Sequence, residues 1–158
     1  MEEISARPIR RNDREIDEQD ARQLLNRGEY GVLSTVGPDG LPYGVPLSYV
    51  LRGAEIYFHS APEGRKIENL SPGAQASFCV VGATEVQPEM FSTRYESAIV
   101  CGEVHELLGE EKLRALGWLV QKYSPDFREQ GDEYITDAHT RTRVFALRVR
   151  RITGKRRR

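Results

Sequence analysis

A tight-turn sequence between two strand-like segments is the feature that most constrains the fold of this chain. Tyr30–Val36 and Leu41–Leu51 are each typical of a β-strand, and Gly37–Gly40, with the sequence Gly-Pro-Asp-Gly, joins them. Such residues favour the dihedral angles of a tight turn, so we predict an antiparallel hairpin. Pro42 and Pro46 lie in its second strand, and proline cannot donate a ladder hydrogen bond. We therefore predict that the pairing of this strand is interrupted where another group docks.

Other segments alternate between strand-like and helical spacing. Four more strands are predicted, at Ile56–Ser60, Gln75–Val81, Glu96–Leu108 and Thr142–Ile152. Helices are predicted after a capping Asp17 and at Glu110–Tyr123, with one short helix inside Pro62–Leu70, whereas the stretch after Ser124-Pro125 has no defined pattern. Six strands with small helices at the margins predict a mainly β (α+β) fold, a closed or nearly closed antiparallel barrel.

The chain length of 158 residues is that of one domain. We expect an N-terminal arm at residues 1–16, the barrel at residues 17–155 and a basic tail at residues 156–158. Apolar residues make up 39% of the chain, charged residues 30%, and the net charge is −1, which excludes full disorder. The start is acidic and no apolar run is long enough to cross a membrane. We expect a cytoplasmic protein without a membrane partner.

The basic end of the chain is open to two interpretations. Nine basic residues and no acidic residue lie between Arg141 and Arg158, a bias that occurs in nucleic-acid-binding proteins. However, Arg148 and Arg150 fall on one face of an alternating strand, and no aromatic residue lies within the final basic run to stack on bases. The solvated strand face is therefore favoured, and we expect no nucleic-acid partner.

The segment after the third predicted strand suggests a phosphate site. Gly64, Arg65 and Lys66 begin the short predicted helix, where cations oppose the positive end of the helix dipole. A bound phosphate would remove this conflict, and Gly64 would let it approach the backbone closely. The alternative is that both cations simply point into solvent.

Two other segments suggest a ligand. Thr93, Tyr95 and Ser97 share one face of an extended chain, and either serve a polar ligand or form an ordinary solvated strand face. Pro46 leaves backbone groups unpaired in Tyr43–Tyr49, which a flat heterocycle with its own donors and acceptors would match. The alternative is a plain edge strand. The three histidines are too dispersed to imply a metal site, and the usual nucleotide, hydrolase and metal motifs are absent.

Taken in order, these segments resemble the FMN-binding split barrels related to pyridoxamine 5′-phosphate oxidase, in particular the branch of the nitroimidazole-resistance proteins. The resemblance runs from about Arg10 to Lys155. The motifs that carry it are Gly28–Thr35, Gly44–Tyr49, Ile56–Ala61 with Gly64 and Lys66, and Thr153–Lys155. The chain ends in Ile152–Lys155 where the true oxidases have an arginine-bearing substrate motif, so vitamin B6 oxidation is not expected.

The resemblance implies a homodimer that holds two FMN molecules between its subunits. Val45, Pro46, Leu47 and Ser48 would lie along the flavin ring. The ribityl-phosphate end would be surrounded by His59, Ser60, Gly64 and Lys66, and approached by Thr93, Tyr95 and Ser97.

An FMN-dependent oxidoreductase acting on a small, electron-poor substrate is the function that this implies, with reduction of a nitro group as the specific hypothesis. His59 is the candidate proton donor, although it equally suits a role in holding the cofactor. Two alternatives stay open. One is a flavin- or haem-binding split barrel without catalysis, and the other is a nucleic-acid-binding protein that uses the basic tail.

Overall fold

A computed structural model gives the fold, and it describes residues 7–158. The prediction for residues 1–6, in the N-terminal arm, lies outside this range. The helices are α1 (Glu18–Arg27), α2 (Arg65–Asn69), α3 (Gly109–Tyr123) and α4 (Arg128–Ala138). The strands are β1 (Glu15–Ile16), β2 (Gly31–Val36), β3 (Pro42–Leu47), β4 (Val50–Arg52), β5 (Glu55–Ser60), β6 (Ala74–Gln87), β7 (Ser92–Leu107) and β8 (Arg143–Arg157).

All strand pairs are antiparallel, in the order β3-β2-β6-β7-β8-β5-β4, and β1 pairs with the far end of β8. β3 and β4 are the two ends of this order, yet only Ser48 and Tyr49 separate them in sequence. The sheet must therefore curl until its ends meet, and no ladder hydrogen bonds join them there. This is a split barrel, as the sequence predicts, with eight strands in place of the expected six.

The predicted hairpin is confirmed, because Gly40 N–H donates to the Gly37 carbonyl at 2.9 Å and β2 pairs with β3. The predicted interruption of its second strand is also present. β3 ends at Leu47 and pairs only with β2, and the chain resumes as β4. The hydroxyl of Tyr123, on α3, accepts a hydrogen bond from the Tyr49 N–H at 2.9 Å. A side chain thus replaces the missing ladder partner at the break.

The core has two parts on opposite faces of the sheet. Inside the barrel, large side chains pack with α1, whose N-terminus is capped by Asp17. They include Tyr49, Phe58, Phe78 and Phe145. On the outer face, α3 covers β4, β5 and the start of β8 through Leu116 and Leu119. Successive residues of a strand point to opposite faces, so Phe58 faces the barrel interior while Tyr57 lies under α3.

Two predictions about the C-terminal third are corrected. The stretch without a defined pattern forms α4. The last strand is longer than predicted and continues to Arg157, so that Arg156 and Arg157, which we had expected in a basic tail, pair with the start of β7. The Arg156 guanidinium lies 3.0 Å from Asp20 and 3.3 Å from Glu96. Arg156 therefore stabilises the fold through two ion pairs.

Candidate functional site

The corner where β5 leads into α2 brings His59 and Lys66 together. His59 has the same strand parity as Tyr57 but lies beyond the part of α3 that covers the sheet, so its side chain is exposed. Ser60 has the opposite parity and is buried. Gly64 precedes α2 with φ of +122°, a backbone conformation that favours glycine. The chain then turns so that Lys66, one residue into α2, returns close to His59.

The positive charge of Lys66 acts on His59. Although the His59 side chain is open to solvent, neighbouring protein atoms desolvate its imidazole and lower its pKa, and Lys66 lowers that pKa further. Burial also lowers the pKa of the Lys66 ammonium. Within residues 7–158, no carboxylate lies within ion-pair distance of Lys66. A half-buried cation that lacks an anionic partner favours an anion from solution.

Two contacts fix α2 against the β2–β3 hairpin. The buried side-chain amide of Asn69 donates to the Thr35 hydroxyl at 3.0 Å. The Arg65 guanidinium lies 4.7 Å from the centre of the Tyr43 ring, within the range of a cation–π contact. Arg65 is therefore held against the start of β3, and both predicted cations occupy the first turn of α2.

The segment at the end of β3 presents alternate residues to solvent. Pro46 and Ser48 are exposed, whereas Val45 and Leu47 are partly buried and pack against the core. A ligand lying along this segment would therefore meet the backbone of Val45 and Leu47 rather than their full side chains.

A cavity of about 520 Å³ lies beside this segment and includes both Ser48 and His59 in its lining. Its other walls come from α3, α4 and the turns on either side of α4. Helix α4 is not predicted from the sequence, although Phe127, Tyr134 and Ile135 have the spacing of one helix face. The structure thus brings Ser48, His59 and Lys66 to one region, with an apolar cavity next to it.

The hydroxyl residues of β7 lie elsewhere in the same chain. Thr93, Tyr95 and Ser97 share one face, as predicted, but they occupy the far end of β7, where Ser97 pairs with Lys155. His59 instead aligns with Val144, which pairs with the other end of β7. Ser97 and Leu107, the partner of Val144, are ten residues apart on this strand, which is roughly 30 Å at about 3.3 Å per residue. One chain therefore does not bring the hydroxyl residues to His59.

The outer face around those residues is apolar. A row of directly paired residues crosses five strands on this face: Pro46, Val32, Cys79, Ile99 and Thr153. Ile99 is 43% exposed, and Val81 is exposed in the adjacent row beside Ser97.

Further along, the tip of the β6–β7 hairpin exposes Met90 and Phe91, the latter 98% accessible with φ of +48°. The Ser92 hydroxyl beside them is buried without a hydrogen-bond partner among residues 7–158. Contiguous exposed apolar surface of this kind indicates an interaction site.

Two structural properties concern membranes and metal ions. No helix within residues 7–158 has both the length and the apolar character that a membrane crossing requires. In the same range, no group of three or more His, Cys, Asp or Glu side chains is arranged to hold a metal ion.

Comparison with known proteins assigns the chain to a family. The sequence model of the pyridoxamine 5′-phosphate oxidase family matches residues 17–156. The chain therefore belongs to the pyridoxamine 5′-phosphate oxidase family, and the resemblance drawn from the motifs is confirmed. No protein with a curated description matches the chain.

Solved structures of similar fold include proteins with different cofactors. A putative 5-nitroimidazole antibiotic resistance protein from Bacteroides thetaiotaomicron is 25% identical with a TM-score of 0.71, over 89% of this chain and 85% of that one. A FAD- and haem-binding protein from Mycobacterium smegmatis is 20% identical with a TM-score of 0.78, over 89% and 71%. The flavocytochrome Anf3 from Azotobacter vinelandii is 18% identical with a TM-score of 0.76, over 90% and 68%.

Proposed function

We propose that the chain is an FMN-dependent oxidoreductase that reduces a small, electron-poor substrate, such as a nitro compound. The observation that carries this proposal is the pair Lys66 and Arg65, two cations without carboxylate partners in the described chain, beside an apolar cavity. The donor set of Lys66, His59 and the backbone after Gly64 suits a phosphate monoester. The exposed backbone at Pro46–Ser48 suits the polar edge of a flavin ring.

The proposed reaction is a two-electron reduction of the substrate. FMN, when bound, supplies the transfer of two electrons from a reduced nicotinamide to the substrate. A nitro group that accepts two electrons and two protons becomes a nitroso group and releases water, so the dihydronicotinamide provides one hydride and solvent provides one proton. His59 lies at the cavity and is the side chain placed to pass that proton. Its lowered pKa means that the proton-bearing form is favoured only in acidic solution.

FMN is proposed over FAD because the cations form one compact cluster of a size that suits a single phosphate. Calorimetry of the apoprotein with FMN and with FAD tests this preference. We expect FMN to bind more tightly. Equal affinity for both flavins would contradict a dedicated phosphate-monoester site.

The absorption spectrum of the purified protein tests the proposed function most directly. We expect flavin bands, their loss on addition of NADH or NADPH, and their return when a nitro compound is added without oxygen. A haem Soret band in place of flavin bands would overturn the proposal in favour of a haem-binding protein. Bound flavin that neither donor reduces would indicate storage of the cofactor.

We also propose that two copies of the chain form a homodimer and share the flavin sites. The support is the apolar outer row through Ile99 together with the exposed hairpin tip at Phe91. Because Thr93, Tyr95 and Ser97 lie far from His59 within one chain, they reach a flavin at His59 only from a second copy. A dimer would bury the apolar face and would also place these hydroxyl groups next to the flavin of the other copy.

Sedimentation of the Ile99→Asp variant tests the dimer. The wild type should sediment at about twice 18.0 kDa, and Ile99→Asp should dissociate it, because a buried unpaired carboxylate is costly at an interface. Leu108→Asp is the matched control, since Leu108 is also exposed and apolar but lies outside the outer row. A wild-type monomer that binds FMN fully would contradict the shared site.

A further inference from the structure

The cavity between α3 and α4 has the properties of a binding site for an uncharged ring system. Most of its surface is apolar and comes from aliphatic and aromatic side chains, among them Leu116, Leu119 and Ile135. Among residues 7–158, no Asp, Glu, Lys or Arg lines it. Its volume of about 520 Å³ lies within the range of small-molecule pockets. Because an ion would lose its hydration without gaining a charged partner, such a wall favours a neutral ligand.

Two aromatic side chains of this wall contribute little to the fold itself. Phe127 is 60% exposed and Tyr134 is 72% exposed, although both line the cavity. Within residues 7–158, neither ring contacts another aromatic ring, and the Tyr134 hydroxyl has no hydrogen-bond partner. Exposed rings at the edge of an apolar cavity gain most when a flat molecule stacks on them.

Helix α4 packs mainly against α3 and contributes no buried residue to the core. The helix approaches α3 at Gly131, where an added Cβ would lie 2.4 Å from Cγ1 of Val120. The glycine thus permits a close crossing of the two helices, and Ile135 packs at the edge of the outer core. Beyond these contacts, α4 presents the rest of its inner face to the cavity.

The polar side chains that line the cavity are serine, threonine, tyrosine, glutamine and histidine, none of which is permanently charged. Ser48 and His59 lie on the side that faces the proposed flavin. On the α4 side, the Nδ1 atom of His139 lies 2.9 Å from the Thr136 carbonyl, at the end of the helix. Gln130 and Thr142 also line the cavity. A ligand therefore meets apolar walls along its faces and uncharged hydrogen-bonding groups at its edges.

We propose that this cavity is the acceptor-substrate site and that the acceptor is a neutral, planar aromatic molecule of one or two rings with a polar substituent. This inference rests on the proposed flavin function, since the cavity meets the flavin site only through Ser48 and His59. It goes further by assigning the substrate class and by making α4 the element that selects it.

A substitution that fills the cavity, measured in the FMN-loaded protein, tests this inference. Ala138 lies on α4 and lines the cavity, so Ala138→Trp places a large ring in the free space. Thr136→Trp is the matched control, because Thr136 is exposed on the same helix and lies outside the lining. The probe is 4-nitrobenzyl alcohol, which is neutral, with 4-nitrobenzoate as its charged analogue. Binding is followed by the change in flavin absorption, and turnover gives KM and kcat separately.

We expect Ala138→Trp to weaken binding of 4-nitrobenzyl alcohol and raise its KM at least tenfold, while Thr136→Trp stays within twofold of the wild type. Reoxidation of the reduced protein by dioxygen should be unchanged in Thr136→Trp, because Thr136 lies outside the cavity lining. The wild type should bind the neutral probe more tightly than 4-nitrobenzoate.

Other outcomes overturn the inference without affecting the proposed function. FMN binding with unaltered probe affinity in Ala138→Trp would place the acceptor elsewhere. Dissociation of a dimer by Ala138→Trp, but not by Thr136→Trp, would make the cavity a contact between copies. If the wild type binds no FMN at all, the proposed function itself fails, and the spectrum reports this before any variant is measured.

Discussion

Replacing Lys66 by methionine separates a phosphate-binding lysine from one that serves the fold. Methionine keeps most of the apolar length of the side chain and removes the charge. A charge-assisted hydrogen bond contributes about 1.5–3 kcal/mol, so the variant should bind FMN roughly ten- to hundredfold more weakly. Burial lowers the pKa of Lys66, which means that its charge is held at a cost in the unliganded protein. Loss of that charge should therefore leave the melting temperature of the apoprotein unchanged or slightly raised.

Two controls make this prediction specific to phosphate. Riboflavin lacks the phosphate group, so its affinity should be the same in the wild type and in Lys66→Met. Arg65 is exposed and stacks on Tyr43, so Arg65→Met should weaken FMN by less than about fivefold, the effect of an exposed ion pair of about 0.2–1 kcal/mol.

The assay is calorimetric titration of the apoprotein together with thermal melting. Unchanged FMN affinity in Lys66→Met would refute the phosphate site. An equal loss of FMN and riboflavin affinity would show that Lys66 supports the structure of the site instead.

Three further predictions follow from individual contacts. Tyr123→Phe should lower the free energy of unfolding by about 1–3 kcal/mol in urea denaturation, because the Tyr49 N–H loses its partner at the break between β3 and β4. Lys66→Met should raise the pKa of His59 in an NMR titration of the apoprotein, because the charge that lowers it is gone; an unchanged pKa would show that the two groups are not close. Hydrogen bonds from two arginines lower the pKa of Glu96 below its usual 4.5, so this contribution to stability is present above that pH and is lost as the pH falls through the lowered value. Glu96→Gln should therefore cost about 1–2 kcal/mol near pH 7 and reduce the loss of stability on acidification, as measured by denaturation at several pH values.

Local chemistry explains which elements the sequence predicts well. The turn at Gly37–Gly40 depends on residues next to one another, so the β2–β3 hairpin is found correctly. Helix α3 has a regular apolar face, and its start and end are predicted within one residue. His59 and Lys66 are also close in the chain, so one strand end and one turn are enough to place them together.

Long-range packing determines the elements that the sequence did not predict. Helix α4 has no buried residue, and hence only a weak apolar pattern. β1 consists of two residues and exists because β8 lies beside it. The sequence predicts an interruption of the second hairpin strand but not its place, which is set by Tyr49 packing inside the barrel at 4.7 Å from Phe78. Each of these depends on partners that are distant in sequence.

The place of the candidate site follows from the way in which the barrel fails to close. At Ser48 and Tyr49 the chain passes from one end of the sheet order to the other, so no strand is available to pair with its backbone. Tyr123 satisfies the Tyr49 N–H on one side of this break, which leaves Ser48 exposed on the other. β5 lies next to β4 in the sheet, so the end of β5 with His59 is brought to the same break. A ligand that hydrogen-bonds to the backbone there would complete a pairing that the sheet leaves open, and the cations of α2, which we propose bind its phosphate, follow β5 along the chain.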